Sequence, residues 1–270
     1  VPGIWSGMGF NGIAAATIAS QTCVMAYILF KIFQLDVMQS VKLLEFYPSK
    51  EIFKQIISQL LPASTALIVM FVSGFVVQFA LKDFGGHAVA AYGVALRIEQ
   101  ILLLPVLGMT GALLPIAGQN FGAKNYDRVR SALKYCWGAG FVMAAFAVPT
   151  LLLGANFAMS FFTNDLDVIK AGSSYLHVDA FLFPIYMMLF SINSLLQAFK
   201  KAIWTLYISI YRQGFGVAFF VWFFISILDF EVQGVWLGIA TAVSTGWILS
   251  LIIAYKVARK EMGGLLFFNS

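Results

Sequence analysis

Charge is scarce in this sequence. Asp, Glu, Lys and Arg make up 11% of its 270 residues, against roughly 25% in a soluble domain. That excludes a water-exposed surface of ordinary polarity. Cysteine is nearly absent: Cys23 and Cys136 both lie in or beside apolar runs. A disulfide framework is therefore not expected, and no metal-ligand spacing is present. The Ser, His and Cys residues show no spacing of a nucleophile and its base. No glycine-rich phosphate loop occurs, so an ATP-driven reaction would need a partner chain. No cofactor is expected, and the chain is not expected to be an enzyme. Val1 opens no charged region with a cleavage site, so a signal peptide is not expected either.

What fills the sequence instead is apolar side chain, at 61% hydrophobic and 16% aromatic. No interior of a 270-residue domain could hide that much, and the natural solvent for it is the lipid bilayer. A helix needs about 20 mostly apolar residues to cross the hydrocarbon layer. Seven stretches qualify, at roughly 12–33, 55–81, 88–117, 132–154, 174–199, 204–228 and 233–257. Backbone groups in lipid must bond within their own segment, so each is expected to be a helix. The fold class is an all-α polytopic membrane protein. The stretch 155–173 is too polar to span and predicts an interfacial turn or short helix.

The net charge of +5 suggests nucleic acid only if the bases form a stripe, and they do not. They cluster at the ends of apolar runs. One set of connections and the tail hold Lys31, Lys42, Lys50, Lys54, Lys124, Arg128, Arg130, Lys134, Lys200, Lys201, Lys256, Arg259 and Lys260. The opposite set holds only Lys82 and Lys170, beside Asp83, Asp165, Asp167, Asp229 and Glu231. Lys and Arg favour cytoplasmic ends, so the C-terminus is expected in the cytoplasm, with the chain multi-pass in the plasma membrane.

Polar residues inside the runs are the candidates for function, because charge within a membrane is costly. Within "AYGVALRIEQILLLPVLGMTGALLPIAGQNFGA" stand Arg97, Glu99 and Gln100. Arg97 is about nine residues into its span, roughly 14 Å deep. Arg97 and Glu99 are two positions apart and point to different faces. Each needs a partner on another helix or a hydrated cavity. They suit either a lumen wall that handles cations or a network that stabilises the bundle. Asp179 lies about five residues inside the outer end of its predicted span, where a carboxylate can still touch water. Arg212 either snorkels to the cytoplasmic end or faces the bundle. Asn193 and Gln197, four apart on one helical face, line a cavity or bond between helices. Gln119 and Asn120 read as capping and loop docking. Pro62, Pro105, Pro115, Pro149 and Pro184 fall within predicted spans, where neighbouring helices can satisfy the carbonyls that proline frees.

The block "FGGHAVAAYGVALRIEQILLLPVLGMTGALLPIAGQNFGAKNYDRVRSALK" at 84–134 carries further features. A small-residue helix start, Ala88 to Tyr92, follows a Gly-containing loop. Pro105, Gly108 and Pro115 follow, and then Gln119-Asn120-Phe121-Gly122-Ala123 leads into a basic helix. In these features the chain resembles the multidrug and toxic compound extrusion transporters, the MATE family. "SLLQAFKKAIWTLYISIYRQ" is similar to that family's tenth-to-eleventh helix connection, except that Phe199 stands where a glycine is expected. "GIAAATIAS" resembles its sixth helix.

The resemblance implies two six-helix lobes, of which this chain would hold the C-terminal one plus one preceding helix. Residues 1–54 would be the last helix of the N-terminal lobe and the cytoplasmic connection. Residues 55–270 would be the C-terminal six-helix lobe. The implied function is cation-coupled antiport of small organic cations by alternating access, with proton or sodium as coupling ion. The partners are the lipid bilayer and the missing N-terminal lobe, with no nucleic acid. Proton uptake needs a carboxylate shielded from water, and Glu99 is the candidate in this chain. The family's acidic positions in helices seven and ten are not obvious here, since 55–81 holds no Asp or Glu. Two other readings stay open: a seven-helix receptor, and a lipid or oligosaccharide-lipid flippase of the same superfamily.

Overall fold

The computed structural model describes residues 9–35 and 49–265, which are helical apart from short turns. The chain divides into two compact units, 1–53 and 54–270. In the first unit the described element is α1, Gly9–Phe33. It is apolar on every side, with Lys31 in its last turn. Lys42, one of the predicted cytoplasmic cations, lies outside the described residues.

The second unit holds six long helices. Helix α2, Lys50–Leu81, begins four residues before that unit and ends in a 3-10 turn, Lys82–Phe84. Gly85 then turns the chain with φ of 95°. Helix α3 is Gly86–Gly122, α4 is Tyr126–Ser160, α5 is Leu166–Ala198, α6 is Ala202–Ser226 and α7 is Glu231–Met262. Seven helices in all, among the described residues, are long and apolar enough to cross a membrane. The 37 residues of α3 reach about 55 Å, well beyond a hydrocarbon layer of about 30 Å.

Helix α5 is the centre of the unit. It packs against α3, α4 and α7, and α6 lies on α7. Its buried residues recur on most sides of the helix, from Tyr175 and Leu176 through Phe183 and Met187 to Leu195 and Leu196. Helix α2 is the opposite case. It buries one narrow stripe, Ala66, Ser73, Val77 and Leu81, and leaves Phe71, Phe75 and Phe79 exposed. Small residues permit the closest approaches, as in other membrane bundles. A Cβ on Gly238 of α7 would sit 2.7 Å from the Val221 backbone of α6. One on Gly140 of α4 would collide with the Met187 side chain of α5.

The five predicted intrahelical prolines all lie inside helices that continue through them. Helix ends extend past their expected limits because polar residues cap them. Asp165 accepts the backbone N–H groups of Asp167 (3.0 Å) and Val168 (3.3 Å). This starts α5 at Leu166, eight residues before its expected start at 174. Arg130 of α4 donates to the carbonyls of Met262 and Gly264 (the latter at 3.1 Å) and so closes the end of α7. Gln59 of α2 accepts the Ala202 N–H at 3.2 Å where α6 begins. Phe199 is buried and packs on Phe121, with ring centroids 4.6 Å apart. The left-handed backbone at that turn falls on Lys200, with φ of 58°.

Helix α6 carries an irregularity that the apolar pattern did not foretell. Its middle, Ile210–Gly216, is π-helical.

Candidate functional site

Helix geometry sends Arg97 and Glu99 to different sides of α3, and the two side chains end in different surroundings. Arg97 and Gln100 are exposed on the chain's surface. Glu99 turns toward α5, where the Tyr175 hydroxyl donates to its Oε2 at 2.7 Å. One turn further along α5 from Tyr175 is Asp179, only 1% exposed. Its Oδ1 has no hydrogen-bond partner, and the Tyr186 hydroxyl lies near its carboxyl on the same helix.

The sequence alone favoured a water-touching position for Asp179, and the structure corrects that. Because Asp165 caps α5 early, Asp179 lies 13 residues into the helix, about 20 Å from its start.

Arg212 supplies the positive charge. It sits in the π-helical stretch of α6 and is 8% exposed. It faces the bundle and does not snorkel. It lies close enough to feel the charge of Glu99 and the Tyr186 hydroxyl, and Glu99 and Asp179 feel each other. Yet it makes no direct ion pair among the described residues, and its Nε has no hydrogen-bond partner. The stem of Arg212 lies on Gly246 of α7, where a Cβ would come within 2.8 Å of Arg212 Cβ and Cγ.

An aromatic wall closes the cluster. Tyr92 of α3 meets Tyr175 edge to face at 5.4 Å and stacks on Trp236 of α7 at 5.9 Å. Trp236 also meets Tyr175 at 5.0 Å. Trp236 is 1% exposed and its Nε1 is unpartnered. Two carboxyls, three hydroxyls and one guanidinium thus share a low-dielectric space. Uncompensated charge there is costly, so the protonation or ion occupancy of the pair is tied to how the helices pack. Among the described residues no three His, Cys, Asp or Glu side chains come together.

The structure therefore brings Glu99 within reach of both Asp179 and Arg212, and it leaves the other predicted residues elsewhere. Asn193 and Gln197 are partly buried on α5, but Asn193 is 14 residues beyond Asp179, about 21 Å away along the helix. Its Oδ1 has no partner. Asn120 donates to the Ile116 carbonyl at 2.8 Å, and its own backbone carbonyl accepts from the Asn125 N–H. The tyrosines and Trp236 were missed in the sequence. Their signal was spacing: Tyr92 is seven before Glu99, Tyr175 four before Asp179 and Tyr186 seven after it, each on one face of its helix.

The first turns of α3 and α5 are tied separately. His87 Nδ1 lies 3.0 Å from Asp165 Oδ2. The Val168 N–H first, then the Asp167 N–H and His87, hold the Asp165 carboxyl below the usual carboxylate range.

The arrangement has relatives. The multidrug export protein MepA of Staphylococcus aureus (strain MSSA476) is 27% identical over 179 residues, covering 64% of this chain and 38% of that protein. The probable multidrug resistance protein YpnP of Bacillus subtilis (strain 168) is 25% identical, covering 71% of this chain and 42% of that protein. The chain thus spans less than half the length of these relatives. The fold superposes on the outward-facing conformation of a multidrug resistance MATE family transporter of the MOP superfamily, with a TM-score of 0.86 at 23% identity. That match covers 94% of this chain and 57% of the other. A MOP superfamily transporter from Pyrococcus furiosus matches with a TM-score of 0.84 at 22% identity, over 94% and 57% of the two chains. Such likeness supports the all-helical membrane fold. Residues 62–222, more than half of the chain, match the MatE family profile, and the chain belongs to that family of membrane transporters.

Proposed function

We propose that this chain is one half of an antiporter that exports small organic cations across the plasma membrane by alternating access. Helices α2 to α7 are its C-terminal lobe. Helix α1 and the residues up to 54 are the last helix of the N-terminal lobe and the cytoplasmic connection. Export is driven by a cation gradient, proton or sodium, acting on Glu99, Asp179 and Arg212. The relatives named as multidrug export proteins support the reading. The observation that carries it is the pair of carboxyls on facing helices, Asp179 buried and Glu99 half-buried beneath the Tyr175 hydroxyl.

The cluster explains how a bound cation can bias a conformation. With both carboxyls ionised and Arg212 charged, the group carries one net negative charge. Taking up one positive charge neutralises it. In a low-dielectric interior that step changes helix-packing energy far more than it would in water. A swing from 1:99 to 99:1 between two states needs about 5.5 kcal/mol of differential binding, which a desolvated charge can supply.

Arg97 and Gln100 have a different part. An exposed arginine midway along a spanning helix avoids acyl chains. It belongs on the wall of the cleft that the second lobe closes.

The test uses the transporter assembled from this chain and its N-terminal lobe. Glu99→Gln is expected to abolish gradient-driven export of a cationic dye while the protein still reaches the membrane. Unchanged export with unchanged pH dependence contradicts the reading.

A further inference from the structure

One face of α7 changes character toward its C-terminal end. Ile248, Ile252 and Tyr255 stand on it exposed, and the exposed cations Lys256, Arg259 and Lys260 follow. Steps of three and four residues join all six, which makes them neighbours on one helix surface. The opposite face of the same turns, with Ser250, Ala254, Val257, Ala258 and Met262, is buried in the bundle. A hollow of about 580 Å³ lies on the exposed face, lined among the described residues by Leu251, Ile252, Tyr255, Lys256, Arg259 and Lys260. The three cations join no ion pair among the described residues. Glu261, the acid of the same turn, is already committed to Lys201 at 3.1 Å. A helix dipole favours cations in a last turn, and a bilayer favours them near the end of a span. Neither effect asks for three on one face, next to an exposed tyrosine and in line with exposed isoleucines.

We propose that this face of α7 is a binding site for an anionic phospholipid: Lys256, Arg259 and Lys260 hold the phosphate-bearing headgroup, and Ile252 and Ile248 carry an acyl chain. The site is separate from the carboxyl pair, and the proposal does not rest on the coupling role given to that pair.

The order of side chains matches the depth profile of a lipid. Ile248 to Lys260 spans about 18 Å along the helix axis, close to one leaflet of a hydrocarbon layer about 30 Å thick. The isoleucines come first, at acyl depth. Tyr255 follows, and its amphipathic ring suits the membrane–water interface. The cations come last, at headgroup level. Arg259 offers a planar fork that can donate to two phosphate oxygens. Lys256, one turn before it, and Lys260, beside it, add compact positive charge. A zwitterionic headgroup would bring its own cation into this group and be repelled by it. A small free anion would leave the apolar half of the face unused. A phospholipid with net negative charge complements both halves.

The experiment titrates the two-lobe transporter, purified in a non-ionic detergent, with phosphatidylglycerol, phosphatidylcholine or inorganic phosphate, and follows the unfolding midpoint. A ligand that binds the folded state alone raises the midpoint with its concentration. Wild type is expected to respond saturably to phosphatidylglycerol and to neither of the others. Lys256→Gln, Arg259→Gln and Lys260→Gln combined are expected to raise the half-saturating concentration about 100-fold. Lys124→Gln, Arg128→Gln and Lys200→Gln combined remove the same charge from other helix connections. They are expected to change it less than about threefold, because distant exposed charges are screened. Wild type that ignores phosphatidylglycerol overturns the proposal. An equal response to phosphatidylcholine overturns it in favour of a merely apolar face, and an equal response to phosphate in favour of a small-anion site. Equal losses in the two triple variants overturn it in favour of diffuse charge attraction. Should the first triple variant not fold, the three wild-type titrations still decide.

Discussion

The Tyr175 hydroxyl reaches across the α3–α5 interface to donate to Glu99 at 2.7 Å, joining residues 76 positions apart in sequence. It is the direct hydrogen bond by which α5 fixes the carboxyl of α3, and its removal should register in both stability and function. Tyr175→Phe keeps the ring against Trp236 and Tyr92 and deletes only the donor. The expected loss is about 1–2 kcal/mol, read as a lower unfolding midpoint, together with a shifted pH dependence of export. A variant with wild-type midpoint and wild-type pH profile would show that this bond has no part in either.

Asp165 makes a prediction about pH at the opposite end of α5. Its carboxyl is held below its ordinary value, chiefly by the Val168 N–H. A depressed value in the folded protein means that the ionised cap stabilises above the ordinary value of about 3.9 and is lost as pH falls through the folded value. Asp165→Ala should therefore unfold at lower temperature than wild type at pH 7. The gap should begin to narrow below about pH 4 and vanish once pH falls below the folded value. A gap that persists at low pH would assign the effect to something other than the ionised cap.

Gly238 and Gly93 form a matched pair. A Cβ at Gly238 meets the Val221 backbone at 2.7 Å, whereas at Gly93 nothing lies within 4 Å. Gly238→Ala should cost about 1–3 kcal/mol by forcing α6 and α7 apart. Gly93→Ala should leave stability unchanged or raise it slightly through helix propensity. Denaturation of the two variants side by side checks both, and equal midpoints would contradict the close packing of α6 on α7.

Arg130 makes a further stability prediction. It donates to two carbonyls at the end of α7 and pairs with Asp127 at 2.8 Å. Arg130→Ala should fray the last turn of α7, which hydrogen exchange at Val257 to Met262 would report as faster exchange. Unchanged exchange there would remove Arg130 from the cap.

The seven spans were legible in the sequence because lipid leaves a helix little freedom. Apolar length and the need to satisfy the backbone internally decide it. Glu99 was legible for the same reason, as a charge where none is cheap. The depth of Asp179 was not, because it depends on Asp165, a capping residue in a stretch too polar to count toward a span. The placement of Arg212 depends on a π-helical turn and on an absent side chain at Gly246 of another helix, and neither leaves a mark in hydropathy. Arg97 read as one of a pair with Glu99, but two positions along a helix is more than half a turn. The two face different surroundings.

The most direct measurement is a count of protons exchanged when a cationic substrate binds the two-lobe transporter, from calorimetric titrations in buffers of different ionisation enthalpy. With the Glu99–Asp179 pair as the coupling site, wild type releases protons on binding substrate, and Glu99→Gln combined with Asp179→Asn releases none from this lobe. The same proton count in wild type and in the double variant would place the coupling charge elsewhere and contradict the account.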